Sequence, residues 1–155
     1  MQIYVALIES KLLYSLSSMC LTVAGQRRFG GVQNKFVRSI LGTKPAYYSR
    51  VSNADVLGRS GHTKATTLLL RRQLLLYGKI LRTPEQHPMR KAAFLHGSSY
   101  PATSKYVRRS GRPRKEWVSS VQREICRKFG SLATADATCQ DQARWKAYVL
   151  SNFWT

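Results

Sequence analysis

Acid is what this chain has least of. Of 155 residues only 7 are Asp or Glu, against 26 Lys or Arg, for a formal net charge of +19. Glu9, Asp55, Glu85, Glu116, Glu124, Asp136 and Asp141 are scattered. None of them pair at a spacing that would hold two metal ions or divide acid and base roles, as in-line displacement by polymerases and nucleases demands. Cysteine is sparse too: Cys20, Cys126 and Cys139 are odd in number and never in C-x-x-C spacing. That pattern argues for a reducing compartment, nucleus or cytoplasm, and for buried thiols rather than a disulfide framework. His62, His87 and His96 supply no zinc-ligand spacing with the cysteines, and there is no phosphate-binding G-x-x-x-x-G-K loop or nucleophile elbow. No catalytic residue, metal or cofactor is therefore expected of this chain alone. Met1 to Leu21 is apolar, but Glu9, Ser10 and Lys11 interrupt it and no basic leader precedes it, so neither a signal peptide nor a membrane span is expected.

What is abundant is positive charge. An excess this large exceeds what solubility needs and repels itself, so it calls for a polyanionic partner whose phosphates release counterions on binding. RNA or DNA leads; an anionic membrane surface or an acidic protein meets the same arithmetic.

The chain is organised around Thr63 to Arg82. At 100° per residue, Leu69, Leu70, Leu74, Leu76, Tyr77, Ile80 and Leu81 fall on one broad side. Arg71, Arg72, Lys79 and Arg82 fall opposite, interrupted by Leu68 and Leu75, so one face seeks a core and the other seeks anions. Thr83-Pro84 bars continuation. Upstream, Tyr4, Leu7, Ile8, Leu12, Tyr14, Leu16 and Met19 fit a mostly buried helix over Met1 to Met19. A second helix runs from a Thr22 N-cap to about Leu41, with Phe29, Val32, Phe36 and Ile40 as its apolar stripe and Arg38 on the surface. Thr43 to Val51 reads as a loop, and Ser52 caps a short turn over Asn53 to Leu57.

Downstream, three prolines and Gly97-Ser98-Ser99 predict mostly irregular chain over Thr83 to Ser110, with a helical turn near Met89 to Leu95. Pro113 opens a helix carrying Trp117, Val121, Ile125 and Phe129 up to Gly130. Thr138 and Asp141 in capping-box spacing open a last one with Trp145, Tyr148 and Val149 inward. The expectation is an all-α domain of about five helices in a small bundle, with a long basic loop before the fourth. Residues 1–83 form one helical region, 84–110 a basic irregular linker, and 111–155 a C-terminal helical pair.

The most cationic stretch lies in that loop. Lys105, Arg108, Arg109, Arg112, Arg114 and Lys115 fall in eleven residues without an acid, a composition suited to tracking phosphates just before a helix N-terminus. With Arg71, Arg72, Lys79 and Arg82 they form the candidate nucleic-acid-binding set. Tyr47, Tyr48, Tyr100 and Tyr106 lie beside basic residues, where they either stack on unpaired bases or fold back onto the core.

Several segments are familiar. Leu12-Leu13-Tyr14, the run Gln33 to Gly42, Ser52 to Leu57, Arg72 to Arg82, Gly111-Arg112-Pro113-Arg114-Lys115-Glu116-Trp117, and Asp141 with Arg144-Trp145 follow one another along nearly the whole chain. This succession resembles the region that follows the catalytic palm in non-LTR retrotransposon reverse transcriptases. Ser15 stands where that pattern has glycine, Leu76 where it has tryptophan, and Lys79 where it has histidine. The resemblance implies a thumb-like helical region and a basic segment that hold RNA template and DNA primer. The palm's paired aspartates are not in these 155 residues, which leaves a holder without an active site. The reading from another class is a basic structural accessory subunit of a larger protein or ribonucleoprotein assembly. Polymerase activity would require primer extension by this chain alone, and none is expected.

Overall fold

The computed structural model describes residues 4–102 and 116–152. Among these the chain is all-α, with one isolated bridge between Phe94 and Pro101 as the only extended pairing. The described residues fall into two units that divide between Leu70 and Arg71.

In the first unit, a π-helical stretch, Tyr4–Glu9, runs into α1 (Ser10–Leu12), and a 3₁₀ turn follows over Leu16–Ser18. The single helix expected to Met19 is thus broken. Ser15 takes a left-handed φ of 61°, and the Ser18 hydroxyl bonds the Ser15 carbonyl at 3.2 Å. Such local hydroxyl bonds compete with the helical ladder. Tyr14 and Met19 face solvent, while Leu13 packs with Phe29, Ala65 and Leu69.

Helix α2 (Val23–Ile40) starts at the expected cap, Thr22, whose hydroxyl accepts from the Gly25 amide at 3.1 Å. Of the expected stripe only Phe29 is buried: Gln33, Val37 and Arg38 join it inside, and Val32, Phe36 and Ile40 are exposed. Polar side chains decide this. The Gln33 amide donates to the Thr63 carbonyl at 2.9 Å, and its oxygen accepts from the Ala65 amide at 2.7 Å. One side chain thereby satisfies an orphan amide in the first turn of α5. Arg38, expected on the surface, is only 7% exposed. It binds the carbonyls of Lys44 and Val51 and the Asn53 side chain at 2.6 to 3.1 Å, which folds the next segment into α3 (Ala46–Ser49) where a loop was expected. Ser52 caps α4 (Asn53–Ser60), accepting from the Asp55 amide at 3.1 Å.

Helix α5 (Ala65–Arg82) extends through both units. In the second unit, α6 (Pro88–Ala93) occupies the place of the expected turn, with His87 accepting from the Met89 amide at 3.2 Å. The segment after it is pinned to α7 (Trp117–Phe129) by Gln122, which donates to the Ser99 carbonyl at 2.6 Å and to the Tyr77 hydroxyl at 3.3 Å. Tyr77 in turn donates to Asp136 at 3.2 Å and meets Phe94 edge-on at 5.6 Å. Gly130, at a φ of 73° that a side chain rarely adopts, ends α7.

Helix α8 (Leu132–Gln140) was not expected. Its inward residues, Ala135 and Cys139, are too small to mark a stripe. Thr138 lies inside it, its hydroxyl bonded back to the Thr134 carbonyl at 2.8 Å, so Thr138 is not the cap of the last helix. Asp141 is that cap, accepting from the Ala143 and Arg144 amides at 2.9 and 3.2 Å and opening α9 (Gln142–Asn152). Nine α-helices among the described residues replace the five expected, because the first broke up and short helices carry no long apolar period. The basic loop and the Pro113 helix start lie outside the described residues.

Candidate nucleic-acid interface

The two rows of cations on α5 have different fates. Arg71 and Arg82 are eleven residues apart, close to three full turns, and so lie on one line; Arg72 and Lys79, close to two turns apart, lie on another. The first line borders the buried arc. Arg71 is only 8% exposed, and Arg82 is half-buried, its guanidinium donating to the Cys139 carbonyl at 2.6 Å. Arg82 thereby places a cation at the C-terminal end of α8, where the helix dipole favours it. The second line faces water: Arg72 and Lys79 are exposed. Lys105, Arg108, Arg109, Arg112, Arg114 and Lys115 lie outside the described residues.

The structure adds a cation that the sequence reading left out. Trp145 is fully buried, and its indole N–H donates to the Leu74 carbonyl at 2.9 Å. This approach is possible because residue 78 is glycine; a Cβ there would clash with the Nε1–Cδ1 edge of the indole. With α9 so close to α5, Lys79, Arg82 and Lys146 come together with Thr83, Gln142 and Leu75 around a groove of about 480 Å³. Three cations and two neutral polar side chains line it, with no carboxylate among them. Lys146 was legible in principle, as the residue next to an anchoring tryptophan, but nothing in a linear sequence says which helix that tryptophan meets.

The acids are placed elsewhere and locally engaged. Arg144 and Arg127 pair with Asp141 and Glu124 at 3.2 and 2.8 Å, His96 with Glu85 at 3.3 Å, and Asp55 and Glu116 accept from Ser52 and Ser119 at 2.7 and 3.2 Å. Glu9 lies 3.9 Å from His62, and Asp136 holds Tyr77. Among the described residues no three His, Cys, Asp or Glu side chains gather where a metal ion would be held. Burial pushes the Cys139 thiol up to about 12, helped by the Asp136 charge and opposed by Arg82, so this cysteine is a neutral packing residue.

Tyr47 and Tyr48 do not fold back onto the core; both are solvent-exposed, as is Tyr100, whereas Tyr106 lies outside the described residues. Among the described residues no helix is long and apolar enough to cross a membrane. Among the described residues, the groove presents three cationic side chains together with the polar side chains of Thr83 and Gln142. Compared with known proteins, the chain matches no family model, no curated protein and no solved structure.

Proposed function

We propose that this chain is a non-catalytic nucleic-acid-binding segment of the kind that follows the palm of a retrotransposon reverse transcriptase, holding RNA template and DNA primer through phosphate contacts. The groove of Lys79, Arg82 and Lys146 carries the reading: three cations converge there with no acid among the described lining residues, an arrangement that attracts phosphate without reading sequence. Two details support the kinship. Ser15 stands where the retrotransposon pattern has glycine, and its backbone is left-handed with φ 61°, a conformation in which glycine carries no penalty. Gly78 and Trp145, from two separate motifs of that pattern, meet in the fold.

Lys79 and Lys146 are exposed, so reversing both charges leaves the core untouched. K79E/K146E is expected to weaken binding of a single-stranded oligonucleotide by on the order of tenfold at low salt, measured by fluorescence anisotropy. Unchanged affinity would contradict the groove as the contact.

One observation favours the accessory-subunit reading. Val32, Phe36 and Ile40 form an exposed apolar row along α2, a face that a protein neighbour would cover. Isolation of the chain in a stoichiometric complex that protects these residues would support that reading, and a stable monomer would count against it.

A further inference from the structure

The segment from Lys44 to Arg50 invests heavily in a very short helix. Helix α3 is only the four residues Ala46–Ser49, closed by Arg50 in a left-handed conformation with φ 53°. What holds it is the buried guanidinium of Arg38. Its Nη1 donates to the Lys44 carbonyl at 3.0 Å and to the Ser49 hydroxyl at 3.4 Å, and its Nη2 donates to the Val51 carbonyl at 2.6 Å. Both ends of α3 are thus fastened to α2 by one side chain. The framework serves residues that contribute nothing to the core: Tyr47 is 88% exposed and Tyr48 73% exposed, their rings edge to face at 5.3 Å.

Two adjacent tyrosine rings held in water on a fixed support leave a large apolar area without a partner, and their surroundings say what kind of partner fits. Lys44 and Arg50 flank the pair and are exposed. Lys35 lines a groove of about 480 Å³ together with Pro45 and Ala46, which directly precede Tyr47. The sequence holds no acid anywhere from residue 10 to residue 54. Aromatic faces bordered by cations match the single-strand pattern in which bases stack while basic residues follow the backbone.

We propose that Tyr47 and Tyr48 form a stacking platform for unpaired nucleobases of RNA or single-stranded DNA, with Arg38 as the positioning residue beneath it. This rests on the nucleic-acid reading above but assigns a different chemistry, contact to the bases rather than to phosphates alone.

The test uses the full chain and oligonucleotides of equal length in four forms: oligothymidine, oligouridine, and an abasic version of each, which keeps the phosphates and lacks the bases. The platform predicts tighter binding to the base-bearing strand than to its abasic counterpart by on the order of tenfold. Y47A/Y48A should abolish that preference while leaving abasic affinity and salt dependence unchanged, and Y47F/Y48F should retain it. A preference in only one sugar series assigns the strand to that polymer. Equal binding of base-bearing and abasic strands, or a preference that survives Y47A/Y48A, would overturn the platform and leave phosphate binding standing. Failure to bind any of the four would remove the nucleic-acid reading itself. Both tyrosines are exposed, so the variants should melt with the wild type, a control read by circular dichroism.

Discussion

At the scale of single residues, the fold is decided by a few side chains whose roles oppose their usual ones. Gly78 sits inside an α-helix, where alanine would ordinarily be favoured by about 1 kcal/mol. Here the Trp145 indole occupies the space a methyl group would need, and the indole bond to the Leu74 carbonyl holds it there. The clash outweighs propensity, so Gly78→Ala is expected to destabilise the second unit by about 1–3 kcal/mol in urea melts; a neutral or stabilising effect would mean that α9 is not seated on this glycine. Arg38 is the other inversion, an arginine buried on carbonyl and amide oxygens with no carboxylate partner among the described residues. Composition hid it among many surface cations. Its five donors in a planar fork explain why arginine, and not lysine, can fasten several chain segments at once.

At the scale of elements, pH gives access to the packing of α8. Cys139 is held neutral by burial, its pKa raised from 9.0 to about 12. A proton bound more tightly in the fold than in the open chain stabilises fully below the ordinary value, and that stabilisation drains away as pH rises from 9.0 toward 12. Tyr77, raised by burial from an ordinary 10.0, adds a loss of the same sign at higher pH. Thermal melts should therefore show Tm falling from about pH 9, and Cys139→Ala should delay the fall until the tyrosine range; a Tm level through pH 10 in the native chain would contradict the buried thiol.

How far elements could be read from sequence depended on what marked them. Thr22 and Ser52 capped helices as their chemistry suggests, and α5 ended at Arg82 where Thr83-Pro84 required. The register of α2 was missed because Gln33 and Arg38 go inward to satisfy backbone groups of distant segments, and linear periodicity counts polar residues as outward. Helix α8 was missed because alanine and cysteine make a thin apolar signal. On the candidate surface, the α5 arc showed which residues share a face. It did not show that the buried side is wide enough to take Arg71, nor that α9 would bring Lys146 alongside Lys79.

At the scale of the whole molecule, the dominant fact is a net charge of +19 with only seven acids to offset it, most of them held by local partners. Self-repulsion of that size weakens the compact state until a polyanion neutralises it. In the reading proposed above, Lys79 and Lys146 of the α5–α9 groove and Lys44 and Arg50 around α3, all exposed, would supply the contacts. The account's central claim is that phosphate binding replaces counterions, and the most direct test is the affinity of the full chain for a single-stranded oligonucleotide across roughly 50 to 200 mM salt. The account predicts a straight line of log affinity against log salt, falling by about 0.7 for each phosphate neutralised, with several phosphates involved. An affinity that stays level across that range would contradict it.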